Sequence, residues 1–107
     1  VLQGFASCGM QRDEGLKALY SGEISDIYVQ SDHQRAGLGR ALMQSCTQAL
    51  ADMDLKGMAL WGMSENAQAR AFYEALGADM ITERVDSPED GALREVAYGW
   101  PSGPDLT

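Results

Sequence analysis

The chain is poor in the residues and runs that define several large protein classes. Its 107 residues include only two cysteines, three prolines and one histidine. Cys8 and Cys46 are too widely spaced for a zinc or redox motif, so we expect no metal site and interpret both as small buried residues. No apolar run approaches the ~20 residues of a membrane span, and no basic-then-apolar leader opens the sequence. We therefore expect no membrane partner and a cytoplasmic, reducing location.

Positive charge is also scarce. The chain has eight Lys and Arg and sixteen Asp and Glu, which gives a formal net charge of −8. Phosphate-backbone binding needs a basic surface, so we expect no nucleic-acid partner. Forty-five per cent apolar residues indicate a globular chain. The length predicts one domain over residues 1–107, with an irregular tail over 101–107.

Apolar periodicity and turn residues predict an α/β domain in the order β-β-α-β-α-β-β. Ile24, Asp26 and Tyr28 should share one face of the second strand by simple alternation. The first helix should bury a stripe of apolar residues, and Gly77 should end the second helix. The strands are expected near residues 4–8, 18–30, 58–61, 80–85 and 93–100, the helices over 38–53 and 69–76, and the stripe at Leu38, Leu42, Cys46, Ala49, Leu50 and Met53.

A glycine-rich turn lies between the second strand and the first helix. It contains Gln34, Gly37 and Gly39 in a Gln-x-x-Gly-x-Gly pattern. Such a turn presents backbone N–H groups at the positive end of a helix dipole, which suits phosphate. Leu42 stands where a dinucleotide fingerprint needs its third glycine, and no Lys follows for a nucleoside-triphosphate loop. Both of those phosphate loops are excluded.

The remaining pattern strongly resembles the coenzyme A loop of the GCN5-related N-acetyltransferase (GNAT) family. A second block, Leu60 to Ala78, resembles another signature of that family: a strand, Asn66, Ala69, Tyr73 and then Leu-Gly. The two blocks occur in the family's order, and the matched region runs from about Gly22 to Ala78. The resemblance implies a mixed, mostly antiparallel sheet with flanking helices, the acyl-CoA N-acyltransferase fold.

The resemblance also implies acetyl-coenzyme A as the cofactor and assigns residues to it. Backbone N–H groups of the loop would hold the pyrophosphate, and the pantetheine arm would pair like an extra strand against the preceding strand, with Asn66 beside it. Arg35 and Arg40 could contact phosphate directly or could be ordinary surface residues. The implied cofactor residues are Ile27, Tyr28, Val29, Gln34, Arg35, Ala36, Gly37, Leu38, Gly39, Arg40 and Asn66.

Two catalytic residues are implied by position. Tyr73 would be the general acid for the leaving thiolate, although it also lies on an apolar helical stripe and could be a core aromatic. Glu23 matches the catalytic Glu of the histone-type members, with a hydrated strand-end carboxylate as the alternative. Asp26 or a water chain could serve as the base instead. His33 is expected to face solvent.

The chain departs from the family at its start. Members begin with another strand, two helices and a further strand, whereas Val1 lies near their third strand. We expect a fold lacking those four elements, with an unpaired sheet edge that invites homodimerisation, and this puts the activity of the chain itself in question. Gly62 stands where the family has a branched apolar residue, and it either loosens packing or admits a close approach.

The resemblance favours an acyltransferase of the EC 2.3.1 type, which moves an acetyl group to a primary amine of a small molecule or protein by direct attack. Acidic residues between the last two strands, Asp86, Glu89 and Asp90, would attract a cationic acceptor. The alternatives are a non-catalytic domain that binds acetyl-coenzyme A and a protein-interaction module that keeps only the fold.

Overall fold

A five-stranded sheet with two helices forms the body of the chain. The computed structural model describes residues 4–29, 36–86 and 93–102. The elements are β1 (Gly4–Met10), β2 (Gly22–Val29), α1 (Ala36–Asp52), β3 (Met58–Met63), α2 (Ala67–Ala75), β4 (Asp79–Asp86) and β5 (Leu93–Trp100). The order expected from the sequence and the mixed α/β fold class are confirmed. Residues 103–107 of the expected tail lie outside the described part.

The strands are arranged in the order β1-β2-β3-β5-β4. Three of the four neighbouring pairs are antiparallel, and only β2 and β3 run parallel. β3 and β5 pair along six residues, whereas β2 and β3 pair at only two positions, Gly22 with Met58 and Glu23 with Ala59. Beyond Glu23 the two central strands separate.

A β-bulge in β2 coincides with this separation. Cys8 pairs with Ile24 and Ser7 pairs with Asp26, so Ser25 is the extra residue. A bulge bends its strand and reverses the alternation of side chains beyond it. Ile24 and Ile27 therefore both contact the main core. The prediction that Ile24 shares a face with Asp26 and Tyr28 was wrong, because the period of two does not persist through a bulge.

α1 packs on the sheet through residues spaced at i, i+4, i+7 and i+11. Gly39, Met43, Cys46 and Leu50 are buried, which is the spacing of one helical face. The expected stripe was right in Cys46 and Leu50 but missed Met43, which is fully buried. Met53 is half exposed, because the helix ends at Asp52 and the chain then turns through Asp54 and Gly57, both with positive φ.

Both helices cover the same face of the sheet. One cluster joins α1 and α2 to strand residues, with Tyr73, Leu76, Tyr98 and Trp100 among its members. The other face carries a smaller cluster of Leu16, Tyr20, Ala59 and Ala97, and the main chain at 16–20 makes a helical hydrogen bond from Tyr20 N–H to the Leu16 carbonyl. The expected flanking helices thus lie together on one face, and the expectation that the second strand begins near residue 18 was wrong, because β2 begins at Gly22.

Cys8 and Cys46 lie side by side where α1 packs on β1. Both thiols are free. Burial raises the pKa of Cys46 to about 12, and a hydrogen bond with Cys8 contributes in the same direction. The sequence separation of the two residues contained no sign of this contact, because it is made by a helix crossing over an edge strand.

The buried Cys46 thiol predicts a loss of stability in alkali. Its folded pKa exceeds the ordinary value of 9.0, so the unfolded chain releases this proton first. The stabilising contribution is complete below pH 9 and is lost as the pH rises towards 12, by at most about 1.4 kcal/mol per pH unit. Urea unfolding across this range should show a steeper decline for the wild type than for Cys46→Ala. Tyrosine ionisation is common to both proteins and cancels, and parallel declines would contradict the prediction.

Candidate active site

A wedge-shaped slot opens between β2 and β3. Its closed end is the pair Glu23–Ala59, the last at which the strands are bonded. β2 then continues to Val29 and β3 to Met63 with no ladder between them in the described structure. A strand edge with unpaired N–H and C=O groups can accept an extended partner as an added strand. The slot is therefore shaped for a narrow, extended, amide-bearing ligand.

The two glycines of the α1 turn have different surroundings. Gly37 is exposed, and a Cβ atom there would meet no described atom within 4 Å. Gly39 is buried, and its Cβ would lie 2.8 Å from Cζ of Phe72. The first turn of α1 can therefore pack on α2 only with glycine at 39, while Gly37 leaves its outer side open. Space for a ligand beside the described main chain is therefore found at Gly37 and not at the Cβ position of Gly39, and the assignment of both residues to the cofactor stays a prediction.

The start of α1 is suited to an anion. The helix is seventeen residues long and has no acidic residue in its first turn, so its positive end is not neutralised from within. Leu38 and Arg40 are partly buried in this turn. Gln34 and Arg35 lie outside the described residues, as does His33, and Ala36 and Val29 are described only in their backbone. The contacts with the cofactor that were assigned to Gln34, Arg35, Ala36 and Val29 stay predictions.

Asn66 occupies the N-cap of α2. Its Oδ1 accepts a hydrogen bond from the Ala69 N–H at 3.1 Å, and its carbonyl accepts from Arg70 N–H at 3.0 Å. An N-cap of this type stabilises a helix by about 1 kcal/mol. The side chain is exposed, and its amide donors are not used in the cap. A structural role is thus established for Asn66, and it leaves two donors for a ligand.

Tyr73 lies on the buried side of α2, next to the slot. Its ring packs against Tyr98 at 5.8 Å between centroids and edge-on to Trp100 at 6.1 Å. Only 7% of the residue is exposed, and burial raises the pKa of its hydroxyl above the ordinary value of 10.0. No described residue makes a hydrogen bond to that hydroxyl. At neutral pH Tyr73 is therefore a protonated donor that has no hydrogen-bond partner among the described residues.

A polar network joins α2 to β5 behind Tyr73. Arg70 Nε donates to the Tyr98 hydroxyl at 3.0 Å, and that hydroxyl donates to Glu74 at 2.5 Å. Arg70 also donates to the Ser64 carbonyl at 3.1 Å, which ties down the turn that carries Asn66. The sequence analysis missed this network, since its members are up to 28 positions apart and share no periodic pattern.

Glu23 is held by an ion pair at the closed end of the slot. Its carboxylate accepts from the Arg12 backbone N–H at 3.1 Å and from the Arg12 guanidinium at 2.8 and 2.7 Å. The Glu23 side chain is 13% exposed. Arg12 was not anticipated, although the β1–β2 hairpin register, with Met10 opposite Gly22, places it near Glu23.

Glu23 and Tyr73 lie on opposite faces of the sheet. Ile24 next to Glu23 faces the helices, so Glu23 points away from them. Because of the bulge, Asp26 and Tyr28 also lie on the Glu23 face, where Tyr28 stacks with Phe5 at 5.9 Å and is half exposed. Ile27 contacts the core instead. The slot thus has the carboxylates of Glu23 and Asp26 on one face of the sheet and the phenol of Tyr73 on the other.

The described part of the chain contains neither a cluster of metal ligands nor a membrane-spanning helix. Within residues 4–29, 36–86 and 93–102, no three His, Cys, Asp or Glu side chains gather as a metal site. Neither of the helices described is long and apolar enough to cross a membrane. β1 has no partner on its outer side among the described strands, so edge-mediated dimerisation stays a prediction.

Known proteins resemble this chain in sequence or in fold. The N-acetyltransferase YuaI of Bacillus subtilis, itself uncharacterised, is 34% identical over 98 residues, which are 92% of this chain and 55% of that protein. The ribosomal-protein-S18-alanine N-acetyltransferase of Escherichia coli is 31% identical with a TM-score of 0.57, over 78% of this chain and 54% of its own. Arabidopsis thaliana NAA60, solved with acetyl-CoA, is 12% identical with a TM-score of 0.72, over 92% and 65%.

The chain thus spans about half the length of the curated relative that it matches. The sequence profile of the acetyltransferase (GNAT) family matches residues 1–78, which contain both motifs, the slot and Tyr73. This match covers well over half of the 107 residues. The chain belongs to the GNAT acetyltransferase family.

Proposed function

We propose that the chain carries the acetyl-coenzyme A site of an N-acetyltransferase that acts on a primary amine by direct attack. The observation that carries the proposal is the slot between β2 and β3, which passes between Glu23 on one face and Tyr73 on the other. Solved relatives with acetyl-CoA bound have the same fold, which supports this cofactor.

The cofactor would occupy the slot and the start of α1. Its pyrophosphate would lie against the outer side of Gly37 and the free N–H groups of the first helical turn. Its amide-bearing arm would pair with the open edge of β2 along Ile27, Tyr28 and Val29. The unused amide donors of Asn66 would reach the arm from the other side of the slot.

The transfer step needs a base on one face and an acid on the other. The amine nitrogen attacks the thioester carbonyl, the new C–N bond forms, and the C–S bond breaks. One amine proton passes to the base, and the thiolate takes a proton from the Tyr73 hydroxyl. A phenol with a raised pKa keeps its proton until negative charge develops on sulfur. Correct positioning of the reactants can itself contribute ~7–11 kcal/mol.

Glu23 is our candidate for the base, directly or through water. It lies at the closed end of the slot, where the thioester would meet an incoming amine. Asp26 shares that face and is the alternative. The acceptor would be a small-molecule or peptide amine, and these carboxylates favour a cationic one. Glu89 and Asp90 of the acidic loop lie outside the described residues.

The second candidate is a domain that binds acetyl-coenzyme A without turnover. Two observations favour it. The carboxylate of Glu23 is already occupied by Arg12, and the Tyr73 ring is packed as a core residue. An interaction module without cofactor is the third candidate, and the two tests of binding and turnover below separate all three.

Cofactor binding should depend on the open side of Gly37. We expect micromolar binding of acetyl-CoA by calorimetry in the wild type and its loss in Gly37→Trp, because the indole would fill the space at the helix start. Gly37→Ala is the matched control and should bind within a few-fold of wild type, with the same thermal unfolding midpoint. Absence of binding in the wild type would favour the interaction module.

Tyr73→Phe separates an enzyme from a binding domain. The substitution keeps the packed ring and removes only the hydroxyl. We expect turnover to fall about 10²–10⁴-fold, the usual contribution of a general acid, with acetyl-CoA affinity within about twofold of wild type. Thioester loss would be followed with a panel of polyamine, aminoglycoside and peptide amines. Turnover unchanged by the substitution would remove Tyr73 from the mechanism.

Isosteric substitutions of the two carboxylates on the same face of the sheet, Glu23 and Asp26, test which of them is the base. We expect Glu23→Gln to lower turnover about 10²-fold or more and Asp26→Asn to change it only a few-fold, measured with the same amine panel. Arg12→Gln, which frees the Glu23 carboxylate without removing it, is the control and should retain turnover. The reverse ranking would assign Asp26, and small effects in both would favour a water relay.

A further inference from the structure

Gly62 lies on the wall of the slot, facing Tyr73. It follows Met58 and Leu60 at two-residue spacing on β3, and those residues contact the helix-side core. A Cβ atom at position 62 would therefore also point to the helices. It would lie 3.7 Å from Cε2 of Tyr73, the ring carbon beside the one that bears the hydroxyl. The missing side chain thus leaves space at the hydroxyl end of the ring.

A strand glycine can be required where neighbouring atoms leave no room for a Cβ atom, but the surroundings of Gly62 are more open than that. The Tyr73 carbon is the only described atom within 4 Å of a Cβ built at 62. In contrast, a Cβ at Gly22 would lie 2.8 Å from a Leu50 methyl and 2.9 Å from the Gly57 carbonyl, and one at Gly99 would lie 2.4 Å from the Tyr20 ring. Gly22 and Gly99 are glycines because their neighbours leave no room. Among the described residues, by contrast, nothing prevents a Cβ atom at position 62.

The position of Gly62 along the slot determines which part of a bound thioester would lie in the space. Gly62 is three residues beyond Ala59, the last residue of β3 bonded to β2, so β2 no longer closes over it. If the Tyr73 hydroxyl protonates the sulfur, the thioester lies within hydrogen-bonding distance of that hydroxyl. The acyl carbons attached to the sulfur then lie within a few bonds of the gap at Gly62.

We infer that this slot accepts acyl groups longer than acetyl, such as propionyl and butyryl, because Gly62 leaves their extra carbons a place beside Tyr73. The inference rests on the proposed function, since it needs a thioester at Tyr73. A valine at 62 would add three carbons to this space, one more than the two by which butyryl exceeds acetyl, so it would compete with the extra carbons of butyryl. The aromatic edge of Tyr73, which borders the space, suits hydrocarbon.

The test is a comparison of thioester affinities in the wild type and in Gly62→Val. Calorimetric titrations would use CoA, acetyl-CoA, propionyl-CoA and butyryl-CoA. We expect the wild type to bind all three thioesters within a few-fold of one another. Gly62→Val should weaken butyryl-CoA about tenfold or more relative to acetyl-CoA, within the range of ~10–200-fold for a methylene that a pocket must accommodate. CoA, which has no acyl group, should bind both proteins equally.

Gly62→Ala is the milder variant, because its Cβ makes an ordinary contact with the Tyr73 ring. It should produce a smaller loss for butyryl-CoA and keep the thermal unfolding midpoint. Equal losses for acetyl-CoA and butyryl-CoA in Gly62→Val, or wild-type rejection of butyryl-CoA while acetyl-CoA binds, would overturn the inference and leave the proposed function standing. A wild type that binds neither CoA nor any thioester would overturn both.

Discussion

The two-residue ladder between β2 and β3 is the contact on which the rest of the site depends. Gly22–Met58 and Glu23–Ala59 hold the halves of the sheet together, and the bulge at Ser25 bends β2 immediately afterwards. A longer ladder would close the slot, because it would use the backbone groups that an extended ligand needs. Without the ladder, β1 and β2 would have no bonded connection to the remaining strands in the described sheet. The fold therefore keeps the minimum of pairing that joins the halves and leaves an opening.

Packing rather than hydrogen bonding holds Tyr73 beside that opening. Its ring lies among Phe72, Tyr98 and Trp100, and aromatic contacts of this kind contribute ~0.5–1.5 kcal/mol each. A buried hydroxyl without a partner costs ~1–3 kcal/mol, so the ring contacts can offset it. Gly39 supports the arrangement from the other helix, since its lack of a side chain lets α1 approach Phe72. The glycine motif thus lies at the start of α1 and also allows α1 to pack against α2.

Local signals in the sequence were sufficient for the order of the strands and helices. Gly57 and Gly77 both adopt positive φ near helix ends, which glycine favours, and the order of strands and helices followed from apolar periodicity. What could not be predicted depends on pairs distant in sequence. The bulge at Ser25 arises from the β1–β2 register, and it moved Asp26 to the face of Glu23. The Arg70–Tyr98 bond and the Cys8–Cys46 contact likewise form only when α2 and α1 dock on the sheet.

Several site residues have a structural role beside the proposed chemical one, and in Glu23 the two roles involve the same carboxylate. Two guanidinium nitrogens of Arg12 already contact Oε2 of the Glu23 carboxylate, so an incoming amine would have to compete with them. However, the Arg12 side chain is 78% exposed, and ion pairs with so exposed a partner are screened by solvent and salt. An ammonium group arriving in the slot would bring its own positive charge to the same oxygen atoms. In the proposed mechanism Arg12 can then turn to solvent without leaving a buried charge unpaired, because the acceptor replaces it at the Glu23 carboxylate.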